Sequence, residues 1–81
     1  MTVEVETVEL RRLRWRCRRG LLELDILLLR FLDQGYSGLD VSQRQAFSDL
    51  LELPDNTLLA YLNNLEQPDD LRLSEMVNFL Q

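Results

Sequence analysis

The sequence contains no histidine and no lysine, and its 81 residues include a single cysteine, Cys17. Enzymes that use acid–base or nucleophilic chemistry depend most often on a histidine, a lysine or a reactive cysteine. One cysteine cannot form an internal disulfide, and without histidine it cannot complete a zinc or haem site. We therefore predict no metal site, no catalytic residue and a reducing compartment, which we take to be the cytoplasm.

Other marks of enzymes and membrane proteins are missing as well. Glu23 and Asp25 would point in different directions from a helix, which makes them a poor acid–base pair, and neither a phosphate loop nor a dinucleotide fingerprint occurs. The longest apolar stretch, residues 21–32, contains three charged residues and is too short to cross a bilayer. The acidic N-terminus does not resemble a secretory signal or a mitochondrial presequence. We predict a protein that is not an enzyme and does not insert into membranes.

Leucine, by contrast, is abundant, with twenty copies in the chain. Burying one leucine side chain contributes roughly 1.5–3 kcal/mol, which suffices for one small bundle at this length but not for a deep enclosed pocket. From about Val8 onward the apolar residues recur at helical spacing, and strand patterning is absent. We predict a flexible N-terminal leader over residues 1–7 and a single all-α domain, a compact five-helix bundle, over residues 8–81.

Glycine, proline and aspartate mark the helix boundaries. Gly20 marks the corner after the first helix, either capping it in a left-handed conformation or opening the second. The second helix, residues 21–34, is apolar on nearly all sides and is predicted to be the central element, with Glu23 and Arg30 on a solvent-facing stripe. The later helices are predicted to start at three aspartates. These are Asp40, which forms a capping box with Gln43, Asp55 as the cap of the fourth helix, and an aspartate of Pro68-Asp69-Asp70 before the fifth.

The apolar stripes of the last three helices are predicted to face the core. In the third helix these are Phe47, Leu50 and Leu51, in the fourth Leu58, Leu59, Leu62 and Leu65, and in the fifth Leu73, Met76, Val77 and Leu80.

Positive charge is concentrated before Gly20. Residues 1–20 carry six arginines against three glutamates, a net charge of +3, whereas residues 21–81 carry three arginines against eleven acids, a net charge of −8. Trp15 falls on the arginine side of the first helix, and tryptophan and arginine are enriched at the energetic centres of protein interfaces. Gly20 leaves the backbone uncovered for a partner to approach. The segment is therefore predicted to bind another protein.

Three alternatives bear on this segment. Arg19 and Glu23, four residues apart, could simply pair with each other, worth about 0.3–0.5 kcal/mol. Cys17 shares a stripe with Leu10 and Leu13, which favours inert packing over a reactive thiol activated by its arginine neighbours. Nucleic-acid binding is disfavoured because the acidic remainder of the chain would repel a polyanion.

Segment 15–25, which reads Trp-Arg-Cys-Arg-Arg-Gly-Leu-Leu-Glu-Leu-Asp, resembles the Arg-Gly-x-x-Glu signature of the small flavinylation factors of succinate dehydrogenase. This family comprises bacterial SdhE and mitochondrial assembly factors. The resemblance extends to Gly35-Tyr36, Phe47 to Glu52, Leu58 to Asn63 and Met76 to Gln81.

The resemblance implies a five-helix bundle that binds the flavoprotein subunit of succinate dehydrogenase, and in bacteria often of fumarate reductase, while FAD becomes covalently attached to a histidine of that subunit. It implies no stably bound cofactor, and we expect a monomer that binds no nucleic acid. A carrier that brings FAD itself is disfavoured by the packed core, and the alternative function is an antitoxin-type protein-binding module. The partner-binding residues that the resemblance implies are Arg12, Trp15, Arg18, Arg19, Gly20 and Glu23.

Overall fold

The computed structural model describes residues 8–81, and its helices are joined by short connections. The five α-helices of this part of the chain are α1 (Val8–Arg16), α2 (Leu22–Gln34), α3 (Val41–Leu51), α4 (Asp55–Leu62) and α5 (Leu71–Leu80). A single 3₁₀ turn, Tyr36–Gly38, joins α2 to α3, and no strand occurs within residues 8–81. The predicted all-α five-helix bundle is confirmed. The predicted leader, residues 1–7, lies outside the described residues.

One core of buried side chains joins all five helices. Its centre is Phe47, which is fully buried and whose ring lies 5.3 Å from that of Phe31 and 5.7 Å from that of Tyr36, measured between centroids. Residues four apart on α2 line its inner face, as expected for one side of a helix. The buried members of the core are Leu13, Cys17, Leu24, Leu28, Leu32, Tyr36, Leu39, Ala46, Phe47, Leu50, Leu51, Leu58, Met76, Val77 and Leu80.

The centre of the bundle is shared between two helices. The C-terminal helix α5 packs against α2, α3 and α4, and it buries Met76, Val77 and Leu80 as predicted. The prediction of α2 as the central element did not anticipate α5, which packs against three of the other helices. The exposed stripe predicted on α2 is confirmed, because Glu23 and Arg30 both face solvent.

Two of the three predicted aspartate caps are confirmed. The carboxylate of Asp40 accepts a hydrogen bond from the Gln43 backbone N–H at 2.8 Å, and the Gln43 side chain accepts one from the Asp40 N–H at 3.0 Å, which completes the capping box. Of the two aspartates after Pro68, Asp70 is the cap, and it accepts from the backbone N–H of Arg72 at 2.8 Å. The third prediction is wrong: Pro54 is the N-cap of α4, and Asp55 is its first residue.

The predicted inward position of Leu65 is also wrong, since 77% of this residue is exposed. Helix α4 ends at Leu62, and Asn64 adopts a left-handed conformation with φ of +60°. The N–H of Leu65 donates to Ala60 O at 2.8 Å and that of Asn64 to Tyr61 O at 3.2 Å, the pattern of a Schellman motif. The chain therefore turns away before Leu65 reaches the inner face of α4.

Candidate partner-binding surface

The connection between α1 and α2, residues 17–21, carries the first half of the Arg-Gly-x-x-Glu motif and is held by one carboxylate. Asp25, in the first turn of α2, accepts hydrogen bonds from the backbone N–H of Arg19 at 2.7 Å and from that of Gly20 at 3.3 Å. Gly20 has a φ of +84°, in the left-handed region that favours glycine. Because α1 ends at Arg16 and the N-cap of α2 is Leu21, Gly20 is a turn residue between the two helices.

The side chain of Arg19 points into the protein. Its Nε donates to Asp55 Oδ1 at 2.7 Å and its Nη1 to Leu51 O at 2.6 Å, and its Nη2 donates to Leu53 O. Only 14% of the side chain is exposed. The alternative in which Arg19 pairs with Glu23 is therefore wrong, because the guanidinium is occupied by the α3–α4 corner.

The second half of the motif faces outward. Gly20 is exposed, and a Cβ placed on it would meet no atom within 4 Å. Glu23 is exposed on α2, and its carboxylate forms no ion pair or hydrogen bond within the part of the chain that the structure describes. Leu22 and Ile26 beside it are exposed apolar side chains. This edge combines accessible backbone, an unpaired carboxylate and apolar contact area.

Trp15 projects from α1 as predicted, with 74% of the residue exposed. The guanidinium carbon of Arg18 lies 5.6 Å from the centroid of the indole ring, within cation–π range. Together with Arg11 and Arg14, these two residues line a shallow depression of about 170 Å³. An aromatic side chain flanked by guanidinium groups is thus presented to solvent.

The six arginines before Gly20 divide into two groups of three. The paired group contacts acids beyond Gly20: Arg14 binds Asp33 at 2.8 Å and Arg16 binds Glu52 at 3.2 Å, while Arg19 binds Asp55. The members of the other group are exposed and have no acidic partner among residues 8–81. This unpaired group, Arg11, Arg12 and Arg18, carries the outward charge of the patch.

Cys17 is a packing residue, as predicted. It is fully buried, and burial raises the pKa of its thiol to about 11, although the nearby Arg16, Arg14 and Arg19 act in the opposite direction. A thiol that stays protonated at neutral pH is a weak nucleophile.

Within residues 8–81, no three side chains of the metal-binding types are grouped to hold an ion. No helix of this described part combines the length and apolarity needed to cross a bilayer.

Comparison with known proteins identifies the relatives of this chain. The model of a family described as "Flavinator of succinate dehydrogenase" matches residues 11–81. The chain belongs to this family. The FAD assembly factor SdhE of Idiomarina loihiensis is 43% identical over 70 residues, which cover 86% of this chain and 78% of that protein. The proteins of the same name from Pseudomonas aeruginosa and Coxiella burnetii are 39% and 34% identical over 75 and 76 residues, covering 93% and 94% of this chain and 89% and 93% of theirs.

The part of the chain that matches the flavinator family includes all six predicted site residues. Of these, the structure exposes Arg12, Trp15, Arg18, Gly20 and Glu23 and turns only Arg19 inward. The assignment of the six to partner binding stays a prediction.

Three residues at or beneath this surface were not predicted from the sequence. Arg11 precedes Trp15 by four residues, a helical spacing that indicates a shared face. Asp25 points away from Glu23, but an acid in the first turn of a helix is well placed to accept from the amides before it. No local sequence pattern indicates the contact of Asp55 with Arg19, because the two residues are 36 positions apart.

Proposed function

We propose that this protein is an assembly factor that binds the flavoprotein subunit of succinate dehydrogenase and promotes the covalent attachment of FAD to that subunit. The observation that carries the proposal is the exposed Gly20–Glu23 edge, in which the motif glycine is uncovered and the motif carboxylate is unpaired. Membership of the flavinator family supports succinate dehydrogenase as the client.

The surface has the properties of a protein interface rather than of a cofactor pocket. Trp15 and the unpaired arginines are the residue types enriched at the energetic centres of interfaces. The depression beside Trp15, about 170 Å³, is smaller than the roughly 300–1,000 Å³ of small-molecule sites. The depression that Arg12 lines, about 430 Å³, is bordered mainly by charged and polar side chains and not by the apolar ones typical of such sites. We propose that Arg12, Trp15 and Arg18 contact the client together with Gly20 and Glu23.

The proposed mechanism uses binding energy to orient the client. The flavin and the histidine to which it becomes attached both belong to the flavoprotein, and the assembly factor holds the client in an arrangement that brings these two groups together. Holding reactive groups at attack distance lowers a barrier by about 7–11 kcal/mol in favourable cases. No side chain of the assembly factor needs to accept or donate a proton in this mechanism, and we propose that it is not an enzyme.

The test uses cells that lack this protein and express single variants in its place. Covalent flavin on the flavoprotein subunit is measured as fluorescence of the denatured band in a gel. Gly20→Arg places a large side chain at a backbone position with φ of +84°, and Glu23→Gln removes the exposed charge with little change of shape. We expect both variants to leave the flavoprotein largely without covalent flavin.

The matched control is Glu75→Gln, which removes an exposed glutamate from α5 and should restore flavin fully. The proposal fails if the cells retain covalent flavin without the protein. Full rescue by folded Gly20→Arg and Glu23→Gln would instead refute the assignment of the motif.

We extend the proposal to the flavoprotein of fumarate reductase and to a monomeric, cytoplasmic factor that binds each client singly. Affinity capture of the tagged protein followed by mass spectrometry should recover both flavoproteins. The mass of the purified complex in solution should equal one copy of each chain. A complex with two copies of this chain would refute the monomer.

A further inference from the structure

Asp55 lies outside the motif, on α4, and is separated from Arg19 by 36 positions in the chain. We infer that Asp55 is a positioning residue that holds the Gly20–Glu23 edge in its binding geometry by fixing Arg19. The effect of Asp55 on client binding rests on the proposed function, whereas its effect on the geometry of the edge does not.

The guanidinium of Arg19 joins two segments that are distant in sequence, the connection between α1 and α2 and the α3–α4 corner over residues 51–55. Its Nη1 and Nη2 donate to the carbonyls of Leu51, the last residue of α3, and Leu53, in the turn before α4. Carbonyls at the end of a helix lack intrahelical partners and favour a cation. The guanidinium is planar and rigid, so the Nε–Asp55 bond of 2.7 Å sets the plane in which both Nη groups meet these carbonyls.

The backbone of Arg19 is fixed as well. The N–H of Arg19 donates to Asp25 at 2.7 Å, and the N–H of Gly20 donates to the other oxygen of that carboxylate at 3.3 Å. The side chain of Arg19 is therefore anchored to the α3–α4 corner, while its backbone is anchored to the first turn of α2. The position of Gly20 depends on both anchors.

Removing the Asp55 carboxylate deletes the only acidic side chain that contacts this guanidinium within residues 8–81. A largely buried cation without a counter-charge is unfavourable, so the Arg19 side chain gains from turning toward water. That movement pulls on the residue next to Gly20. We expect the connection between α1 and α2 to lose its single conformation and the client to bind more weakly.

The chain offers a matched control for a general loss of stability. Asp33 on α2 forms an ion pair of 2.8 Å with Arg14 on α1, nearly equal in length to the Asp55–Arg19 pair of 2.7 Å. Asp33 lies at the opposite end of α2 from the motif, and its hydrogen bond and ion pair with Arg14 do not involve residues 17–21. Asp33→Ala therefore deletes an ion pair of similar length, though a more exposed one, without removing a hydrogen bond of the connection.

The first measurement is the Kd for the purified flavoprotein subunit of succinate dehydrogenase, by calorimetry, with the variants of the full chain. Asp55→Ala should raise Kd by about tenfold, Asp55→Asn should raise it less because the amide oxygen still accepts from Nε, and Asp33→Ala should leave it unchanged. In the Glu23→Gln background Asp55→Ala should have a much smaller effect, since the edge it positions is already impaired. Equal loss in Asp55→Ala and Asp33→Ala, or fully additive effects with Glu23→Gln, would overturn the inference.

The second measurement needs no client. Amide hydrogen exchange by NMR should show faster exchange of the Arg19 and Gly20 amides in Asp55→Ala and Asp55→Asn than in the wild-type protein and in Asp33→Ala. Failure of the wild-type protein to bind the flavoprotein would refute the proposed function and leave this measurement to decide the positioning role. Unchanged exchange at Arg19 and Gly20 in folded Asp55→Ala would overturn that role.

Discussion

At the scale of single residues, two adjacent arginine side chains have different surroundings. Arg18 and Arg19 are adjacent, yet the first lies over the exposed ring of Trp15 and the second donates to Asp55 and to the carbonyls of the α3–α4 corner. Arg18 is available to a partner, whereas Arg19 shapes the surface from beneath. Within the Arg-Gly-x-x-Glu motif, the arginine side chain is turned inward, whereas the glutamate is exposed.

Residue-level orientation was predictable where it follows helical periodicity. The exposed Trp15 lies on the face of α1 that the spacing of apolar residues assigns to it, and the buried Cys17, the first residue after α1, continues the apolar stripe. The inward turn of Arg19 was not predictable, because it depends on a carboxylate and two carbonyls that only the tertiary fold brings near. A flexible side chain leaves no periodic signal of such a partner.

The buried thiol of Cys17 leads to a prediction about alkaline pH. Burial raises its pKa from 9.0 to about 11, so the unfolded chain loses this proton at lower pH than the folded protein does. The contribution of the neutral thiol to stability is complete below pH 9 and is lost as the pH rises toward 11. The free energy of unfolding should fall in this window by up to about 1.4 kcal/mol per pH unit.

This slope is measured by urea unfolding of the wild-type protein and of Cys17→Ala at pH values from about 8 to about 10.5, in steps of roughly half a pH unit. Cys17→Ala should be less stable than the wild-type protein because the smaller side chain leaves a cavity in the core. Its free energy of unfolding should nevertheless fall less steeply as the pH rises. Burial also raises the pKa of Tyr36, and that contribution is common to both proteins. Identical slopes would contradict the raised pKa of Cys17.

At the scale of the helices, local rules determine where most elements start and end. Asp40 and Gln43 form the capping box of α3 that their spacing predicts. The two errors arise where a second rule competes with the first. Pro54 occupies the N-cap of α4 and leaves Asp55 as its first residue, and the left-handed Asn64 ends that helix before the apolar period would.

The capping box gives a prediction for α3. Asp40→Ala removes the acceptor of the Gln43 N–H and should lower the free energy of unfolding by about 0.5–2 kcal/mol. Ser42→Ala, an exposed substitution in the first turn of the same helix, should change it by less than about 0.5 kcal/mol. Urea titrations followed by circular dichroism measure both. Equal stability of the two variants would mean that the box contributes nothing.

At the scale of the whole molecule, charge is separated along the chain and in space. Residues 21–81 carry a net charge of −8, and three arginines of α1 and its following turn are neutralised by acids of this part. The unpaired group of Arg11, Arg12 and Arg18 is left as a small cationic face on an acidic protein. This arrangement suits a partner whose docking surface is acidic, since the remaining surface would repel it in any other orientation.

The charge separation predicts how the rate of client binding depends on salt. Arg12→Gln and Arg72→Gln change the net charge equally, but Arg12 belongs to the unpaired group whereas Arg72 on α5 is paired with Asp49 at 3.2 Å. At about 0.01 M salt, Arg12→Gln should slow association with the flavoprotein by roughly 2–5-fold and Arg72→Gln should have little effect. The difference in rate between the two variants should vanish at about 0.5 M salt, where charges more than a few ångströms apart are screened from each other. Stopped-flow fluorescence measures the rates, and equal slowing by both variants would show that net charge, and not the cationic face, governs the encounter.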